Sequence, residues 1–339
     1  MTRPISRALA APPDRHESHT AAASGTGEAH AKAILLGEHA AVYGAPALAI
    51  PLTSLTCRAT VTPGPTGARG LVSMRCLWSP PPAQDAFVDP SEPPLGMSLL
   101  VNSVLQRVEA GRLMGVEVEL ATAIPPGRGL GASAAYARAL TRALDQLLGL
   151  NLSEREVFDY VQLAETASHG QASGIDSLAT SSTRPVLLQA GCSTSPPVAH
   201  EVWAVIADSG TSGSTHQAVT MLRRHFDLYP EARTRFLAES AALTRRALRA
   251  LAEGHLETVG WCLTDTHQLL FDLKLSTADL DVLVEAALDW GALGAKLSGG
   301  GLGGCVIALT ETRISANALA AHLTQHGAVR TWTARIEEG

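Results

Sequence analysis

The chain has 339 residues, of which 46% are hydrophobic and 17% charged, and its formal net charge is −6. This composition argues against intrinsic disorder, and the length is sufficient for two domains with their own cores. The absence of any basic stripe argues against a nucleic-acid partner, and no apolar run approaches the roughly 18–20 residues that span a bilayer. Five cysteines without a C-x-x-C pair indicate free thiols in a reducing cytoplasm.

The N-terminal half is predicted to combine short strands, loops and helices. Residues 1–25 show neither periodicity nor the apolar core of a signal peptide, so we expect a disordered leader. Further along, apolar runs and alternation predict strands, helical spacing predicts helices, and Pro and Gly predict loops. The strands are expected at 33–36, 47–50 and 116–120, the helices at 97–110 and 153–168, and the loops at 62–70 and 79–94.

The C-terminal half is predicted to be richer in helices. Strands are expected at 185–188, 202–207, 304–309 and 329–336, and helices at 215–227, 230–253, 255–273, 277–290 and 314–327. Because strands and helices are interspersed without strict alternation, the pattern predicts an α+β architecture in two lobes. We place the boundary in the loop-like segment after 185–188, which gives lobes of 26–190 and 191–339.

The segment 124–135, Ile-Pro-Pro-Gly-Arg-Gly-Leu-Gly-Ala-Ser-Ala-Ala, is the first with a chemical signature. Gly127, Gly129 and Gly131 free the backbone to curl, and a helix is predicted to begin at Ser133. The first N–H groups of a helix have no intrahelical partner and attract anions, phosphate above all. The spacing matches neither G-x-x-x-x-G-K-[ST] nor G-x-G-x-x-G, so an ordinary Gly-rich turn remains the alternative.

Two further segments add to this signal. Residues 296–305 hold five glycines in ten positions, more than a tight turn needs, which favours a ligand-binding loop. Glu165 lies late on a predicted helix, and Asp176 follows a Gly-rich turn. One such carboxylate can hold Mg²⁺ while the other acts on a hydroxyl, although each alone could equally be a solvated surface group.

Together these segments resemble the GHMP kinase superfamily and, within it, the mevalonate kinases of bacterial type. Its first motif is matched by 29–44, Ala-His-Ala-Lys-Ala-Ile-Leu-Leu-Gly-Glu-His-Ala-Ala-Val-Tyr-Gly, its second by 125–135 and its third by 296–305. The resemblance extends in order over about 25–332. It implies an N-terminal lobe like domain 2 of ribosomal protein S5, a ferredoxin-like C-terminal lobe, and ATP-dependent phosphorylation of the C5 hydroxyl of (R)-mevalonate.

The resemblance also implies roles for individual residues. It assigns Lys32 and Asp176 to catalysis, and Ser133 and Glu165 to Mg²⁺. The ATP phosphates are assigned to Pro126, Gly127, Gly129, Leu130, Gly131, Ala132, Ser133 and Ala134, and the acceptor to His30, Glu38, His39, Thr215 and Gly300. ATP and mevalonate are the implied ligands, with no nucleic acid or membrane as partner and with a homodimer allowed.

Two departures from the family pattern and two alternatives accompany this assignment. Ala132-Ser133 replaces the usual pair of serines, and 171–174 reads Gln-Ala-Ser-Gly where Asn-Pro-Ser-Gly is common. The main alternative is another member of the superfamily, such as a phosphomevalonate kinase, homoserine kinase or galactokinase. The other is a catalytically silent relative that binds a metabolite. Residues 37–44 favour mevalonate kinase, because galactokinases usually carry Glu-His-Thr-Asp there.

Overall fold

The structure is a computed structural model that describes residues 24–79, 93–108, 114–170 and 172–337. Most of the expected leader and of the expected 79–94 loop therefore lies outside the described residues. The strands are β1 (Gly25–Leu36), β2 (Ala47–Pro63), β3 (Gly70–Trp78), β4 (Gly115–Thr122), β5 (Val186–Gln189), β6 (Cys192–Thr194), β7 (Val202–Asp208), β8 (Gly294–Ser298), β9 (Cys305–Thr310) and β10 (Arg330–Ile336). The α-helices are α1 (Leu95–Leu105), α2 (Ala132–Leu148), α3 (Glu154–His169), α4 (Ile175–Ala179), α5 (Thr215–Leu228), α6 (Pro230–Glu253), α7 (Leu256–Asp272), α8 (Ala278–Trp290) and α9 (Arg313–Gln325).

The first sheet is organised around β2, which is long enough to pair with three other strands. β1 runs antiparallel along one side of it, while β5 and β4 pair with successive parts of the other side. β3 then adds parallel to β4, and β6 adds antiparallel to β5. Because α2 packs on β1 and β2, the loop before α2 is held next to β1.

The second sheet has the strand order β10-β7-β9-β8 and is antiparallel throughout. Helices α5 to α8 connect β7 to β8, and α9 connects β9 to β10. This is the βαββαβ arrangement of a ferredoxin-like unit with additional helices in its first connection. The predicted two-lobed α+β fold is thus confirmed, with a ferredoxin-like C-terminal part.

One face of the second sheet packs into a core shared with the first lobe and with parts of α6 and α7, and the other face packs on further helices of the C-terminal half, among them α5, α8 and α9. Side chains alternate along β7, as they must in a strand: Ala204 and Ile206 join the core shared with β1 and β2, while Val205 and Ala207 join the core under α5 and α8. The lobes therefore share apolar contacts, and the loops at their junction are held close together.

The helices of the second half begin and end within two residues of their predicted positions, and α2 begins at Ala132 rather than Ser133. Three strands (β3, β6 and β8) and the short α4 were not predicted. The division into lobes at 190/191 stays a prediction. β6, which follows that point in the chain, pairs with β5 and so belongs to the first sheet. All five cysteines are free thiols, as expected. Within the described ranges, no helix is both long and apolar enough to cross a membrane.

Candidate active site

A cavity of about 500 Å³ lies where the two lobes meet. This volume is in the range of roughly 300–1,000 Å³ that small-molecule sites occupy. Segments far apart in sequence line it: the end of β1 with its following turn, the loop before α2, the α3–α4 region, the start of α5 and the glycine loop after β8. The sequence motifs therefore converge on one site.

The loop before α2 exposes backbone donors to this cavity. Gly131 is the N-cap of α2 with φ +69°, and no side chain caps the helix, so the first N–H groups remain available to an anion. A Cβ at Gly131 would lie 2.8 Å from Lys32 Cε, and one at Gly129 would lie 2.6 Å from the Ser298 carbonyl oxygen. Glycine is thus required at both positions by close approach as well as by backbone conformation.

Lys32 links this loop to a carboxylate. Its Nζ lies 3.0 Å from Asp176 Oδ1 and donates to the Gly129 carbonyl at 3.2 Å, and its own N–H donates to the Leu130 carbonyl. The Lys32 side chain is 2% exposed, whereas that of Asp176, in the first turn of α4, is 30% exposed. A buried ammonium at the edge of the loop and a carboxylate open to the cavity thus lie side by side.

Glu165 on α3 lies behind this pair and accepts a hydrogen bond from Ser133 at the start of α2. Burial, and secondarily the nearby charge of Asp176, raise the pKa of Glu165 to about 7. A hydroxyl and a carboxylate are hard oxygen donors, and a cation bound to them would relieve the repulsion between the carboxylates. In the described part of the chain no three His, Cys, Asp or Glu side chains form a metal cluster. Mg²⁺ does not require such a cluster, because it usually takes one or two carboxylates, several waters and substrate phosphates.

A fully buried ion pair joins the first and third motifs. Lys296 on β8 contacts Glu38, which follows β1, and their side chains are 0% and 1% exposed. Burial lowers the pKa of Lys296, while the charge of Glu38 opposes that shift. The pair ties the turn after β1 to the strand that precedes the glycine loop.

His39 and Thr215 line the cavity next to the glycine loop after β8. His39 Nε2 lies 3.0 Å from the Gly300 carbonyl. Burial lowers the pKa of His39 to about 4, so the ring is neutral at pH 7. Because a carbonyl only accepts, Nε2 carries the proton and Nδ1 is left as an acceptor. Gly300 packs so closely on Thr215 that a Cβ there would lie 3.0 Å from Thr215 Oγ1.

Most of the predicted site residues line this cavity, but His30 and Ala134 do not. The lining includes Lys32, Glu38, His39, Pro126, Gly127, Gly129, Leu130, Gly131, Ala132, Ser133, Glu165, Asp176, Thr215 and Gly300. The pairing of β1 with β2 shifts register between His30 and Ala31, and His30 lies near Arg138 and the Ser182 backbone instead of in the cavity. The Ala134 side chain is fully buried in the core beneath α2.

Other residues in and around the site are not singled out by the sequence. The sequence pattern places Lys296 in the glycine loop, whereas in the structure it lies on β8; a lysine between Ala295 and Leu297 in an apolar run is a signal for a buried partner. Further lining comes from apolar side chains of β3, α1 and α2, namely Met74, Cys76, Met97 and Tyr136. These positions carry no motif, and only the fold brings them together.

Comparisons with known proteins agree with this geometry. Residues 99–183 match the model of the GHMP kinases N terminal domain, and residues 247–329 match that of the GHMP kinases C terminal domain. The mevalonate kinase of Thermococcus sibiricus is 32% identical over 301 residues, which cover 85% of this chain and 89% of that protein. That of Pyrococcus horikoshii is 31% identical over 299 residues, with coverage of 84% and 88%.

A solved structure leads to the same family. The crystal structure of L. major mevalonate kinase in complex with R-mevalonate has a TM-score of 0.79 and 26% identity, and the match covers 93% of this chain and 96% of that one. Since the Thermococcus and Pyrococcus relatives are archaeal, the bacterial type stays a prediction. In sequence and in fold, the chain belongs to the GHMP kinases and, within them, to the mevalonate kinase family.

Proposed function

We propose that the chain transfers the γ-phosphoryl group of ATP to the C5 hydroxyl of (R)-mevalonate, giving 5-phosphomevalonate and ADP. The observation that carries this proposal is the Lys32–Asp176 pair, with Nζ and Oδ1 3.0 Å apart, beside the uncapped N-terminus of α2. Phosphoryl transfer requires charge neutralisation and in-line positioning more than covalent help. A phosphate held at α2 and a hydroxyl held near Asp176 would meet both requirements.

Lys32 and Asp176 would divide the chemistry at the acceptor oxygen. Asp176 is accessible from the cavity and can accept or orient the proton of the attacking hydroxyl. Lys32 lies between that carboxylate and the Gly129 carbonyl, where its positive charge can stabilise the negative charge of the entering oxygen and of the γ-phosphoryl group. The N–H groups at the start of α2 would bind the phosphate oxygens of ATP.

Ser133 and Glu165 would hold Mg²⁺, whose charge neutralises phosphate oxygens. Their hydrogen bond brings the two oxygen donors together, and the raised pKa of Glu165 indicates a carboxylate that gains from a nearby cation. Thr215, Gly300, Glu38 and His39 would surround the acceptor. In that position the neutral His39 contributes a hydrogen-bond acceptor, Nδ1, rather than a charge.

The acceptor is the part of this proposal that the fold alone leaves open. A phosphomevalonate kinase from Streptococcus pneumoniae has a TM-score of 0.71 at 19% identity, and a galactokinase from Lactococcus lactis has 0.66 at 18%. At these identities the likeness concerns the fold. The identity to mevalonate kinases over most of the chain favours mevalonate, and we include the bacterial type suggested by the motifs in the proposal.

An ADP-release assay with a panel of acceptors tests the proposal. Purified protein is supplied with Mg²⁺–ATP and, separately, with (R)-mevalonate, phosphomevalonate, homoserine or galactose. We expect kcat/KM to be highest for mevalonate, and formation of 5-phosphomevalonate to match ADP release. A preference for another acceptor would assign the chain to that activity. Nucleotide binding without turnover of any acceptor would support a silent metabolite-binding relative.

A further inference from the structure

Arg128 lies in the middle of the loop assigned to the ATP phosphates, between Gly127 and Gly129. An arginine in such a loop would ordinarily be taken as a phosphate ligand, because its planar guanidinium forms bidentate bonds with phosphate oxygens. Its side chain is nevertheless almost entirely buried, with the residue only 6% exposed. The guanidinium must therefore have partners within the protein.

Those partners belong to the segment between β7 and α5. Arg128 Nε lies 2.8 Å from Asp208 Oδ1, Nη1 donates to Ser212 Oγ at 2.6 Å, and Nη2 donates to the Gly210 carbonyl at 2.9 Å. None of these three partners is among the residues that line the cavity. Nη1 and Nη2 thus donate hydrogen bonds to the segment after β7, and Nε lies at ion-pair distance from Asp208, so the guanidinium is held by this segment although Arg128 itself borders the cavity.

The partner segment is itself well fixed. Asp208 is 2% exposed and lies at the end of β7, where its Oδ1 also accepts from the Gly210 N–H at 2.9 Å. The Gly213 N–H donates to the Gly127 carbonyl at 2.8 Å, directly beside Arg128. A buried charge pair with additional hydrogen bonds is costly to break from one side, so Arg128 is not free to turn towards a phosphate.

The contacts of Arg128 connect the loop before α2 to a segment that leads directly into the cavity. Two residues after Ser212, Ser214 caps α5, and Thr215 begins that helix and lines the cavity. The loop that would hold ATP and the helix start that would border the acceptor are therefore joined through Arg128. A displacement of about 1 Å between reacting groups can cost on the order of a hundredfold in rate.

We propose that Arg128 and Asp208 form a positioning clamp, which holds the phosphate loop and the start of α5 in the relative arrangement that phosphoryl transfer requires. The proposal deepens the proposed function and rests on it. Arg128 acts through the backbone of its own loop and through the 208–215 segment, and it does not bind the nucleotide.

Four variants test the clamp: Arg128→Met, Arg128→Lys, Asp208→Asn and the double variant Arg128→Met/Asp208→Asn. Arg58→Met is the matched control, because it breaks an exposed ion pair with Glu28 between β1 and β2, away from the cavity. Each protein is assayed for kcat, for KM of ATP and of mevalonate, for direct binding of a fluorescent ATP analogue and for its urea unfolding midpoint. If Arg128→Met does not fold, Arg128→Lys and Asp208→Asn supply the same readouts.

We expect Arg128→Met and Asp208→Asn each to lower kcat by about 10- to 100-fold, with affinity for the ATP analogue within about threefold of the unaltered protein. The kcat of the double variant should be no lower than that of the less active single variant, because both changes disrupt the same Arg128–Asp208 pair. Arg128→Lys should recover only part of kcat, since a lysine is a point charge and cannot reproduce an ion pair together with two directed hydrogen bonds. Arg58→Met should match the unaltered protein.

Two results would overturn the clamp. If Arg128→Met weakens nucleotide binding tenfold or more while Asp208→Asn has no effect, Arg128 is a phosphate ligand. If both variants lower only the unfolding midpoint and leave kcat unchanged, the pair serves stability alone. Failure of the proposed function is distinguishable from either result, because it would be seen with the unaltered chain in the acceptor panel.

Discussion

The buried pair Lys296–Glu38 gives the sharpest prediction about stability. Neither side chain has contact with water, so Lys296→Met leaves the Glu38 carboxylate buried without its counter-ion. Removal of one partner of a buried ion pair costs about 3–5 kcal/mol, whereas replacement of both by apolar residues of similar size is often neutral or stabilising. We therefore expect Lys296→Met to destabilise the protein by about 3–5 kcal/mol, and Lys296→Met/Glu38→Met to regain most of that loss.

Urea titration at pH 7, followed by tryptophan fluorescence, measures this effect. Trp203 on β7 and Trp332 on β10 report on the same sheet as Lys296. A loss of this size lowers the midpoint by about 1 M or more. Arg58→Met, which breaks a pair about 60% exposed on both sides, should cost less than about 1 kcal/mol. A Lys296→Met midpoint equal to that of Arg58→Met, or a double variant less stable than the single one, would refute the reasoning.

Three further predictions concern the site. Asp176→Asn should lower kcat at least about a hundredfold with little change in ATP binding, and near-normal kinetics would remove Asp176 from its proposed role. Glu165→Gln should raise the Mg²⁺ concentration needed for half-maximal activity, and an unchanged magnesium titration would count against Glu165 as a ligand. The pKa of His39 is lowered from 6.5 to about 4, so between these pH values the unfolded chain binds a proton at His39 and the folded chain does not. The contribution of the neutral His39 ring to the free energy of unfolding, at most about 3 kcal/mol, is therefore lost as pH falls from 6.5 towards 4. Urea midpoints between pH 7 and 5 should fall less steeply in His39→Asn, whose side chain tolerates the φ of +60° at this position; parallel slopes would contradict the shift.

The elements predicted most accurately from the sequence are the helices, because their positions follow from local periodicity. The helices α5 to α9 have apolar stripes long enough to be recognised, and they end within two residues of the expected positions. β3 and β8 were missed for opposite reasons. Along β3 the burial does not alternate regularly, and β8 runs directly into five glycines that marked the whole segment as a loop.

The candidate site was predictable only through its motifs. The resemblance to a known family rests on the glycines, Lys32, Glu165 and Asp176, and it indicates that they lie close together although the sequence gives no distances. The fold brings them to one cavity. His30 shows where this approach fails: a shift of register between His30 and Ala31 depends on the pairing of β1 with β2, so the sequence of β1 alone gives no sign of it. Nothing local marks Arg128 as a structural residue either, since its partners lie about 80 residues away.

The polar contacts around the cavity suggest why so much charge is buried at the junction of the lobes. Arg128–Asp208 and Lys296–Glu38 each join a loop of one lobe to a strand of the other. Apolar pairs could fill the same space at no loss of stability, but they would not fix the relative orientation of the two segments that they join. Ion pairs with hydrogen bonds do fix that orientation. A reaction that needs phosphate, cation and alcohol in line gains from such fixed directions. We therefore expect apolar replacement of both partners to preserve the fold in each pair and to impair turnover, so that the double variants separate stability from catalysis.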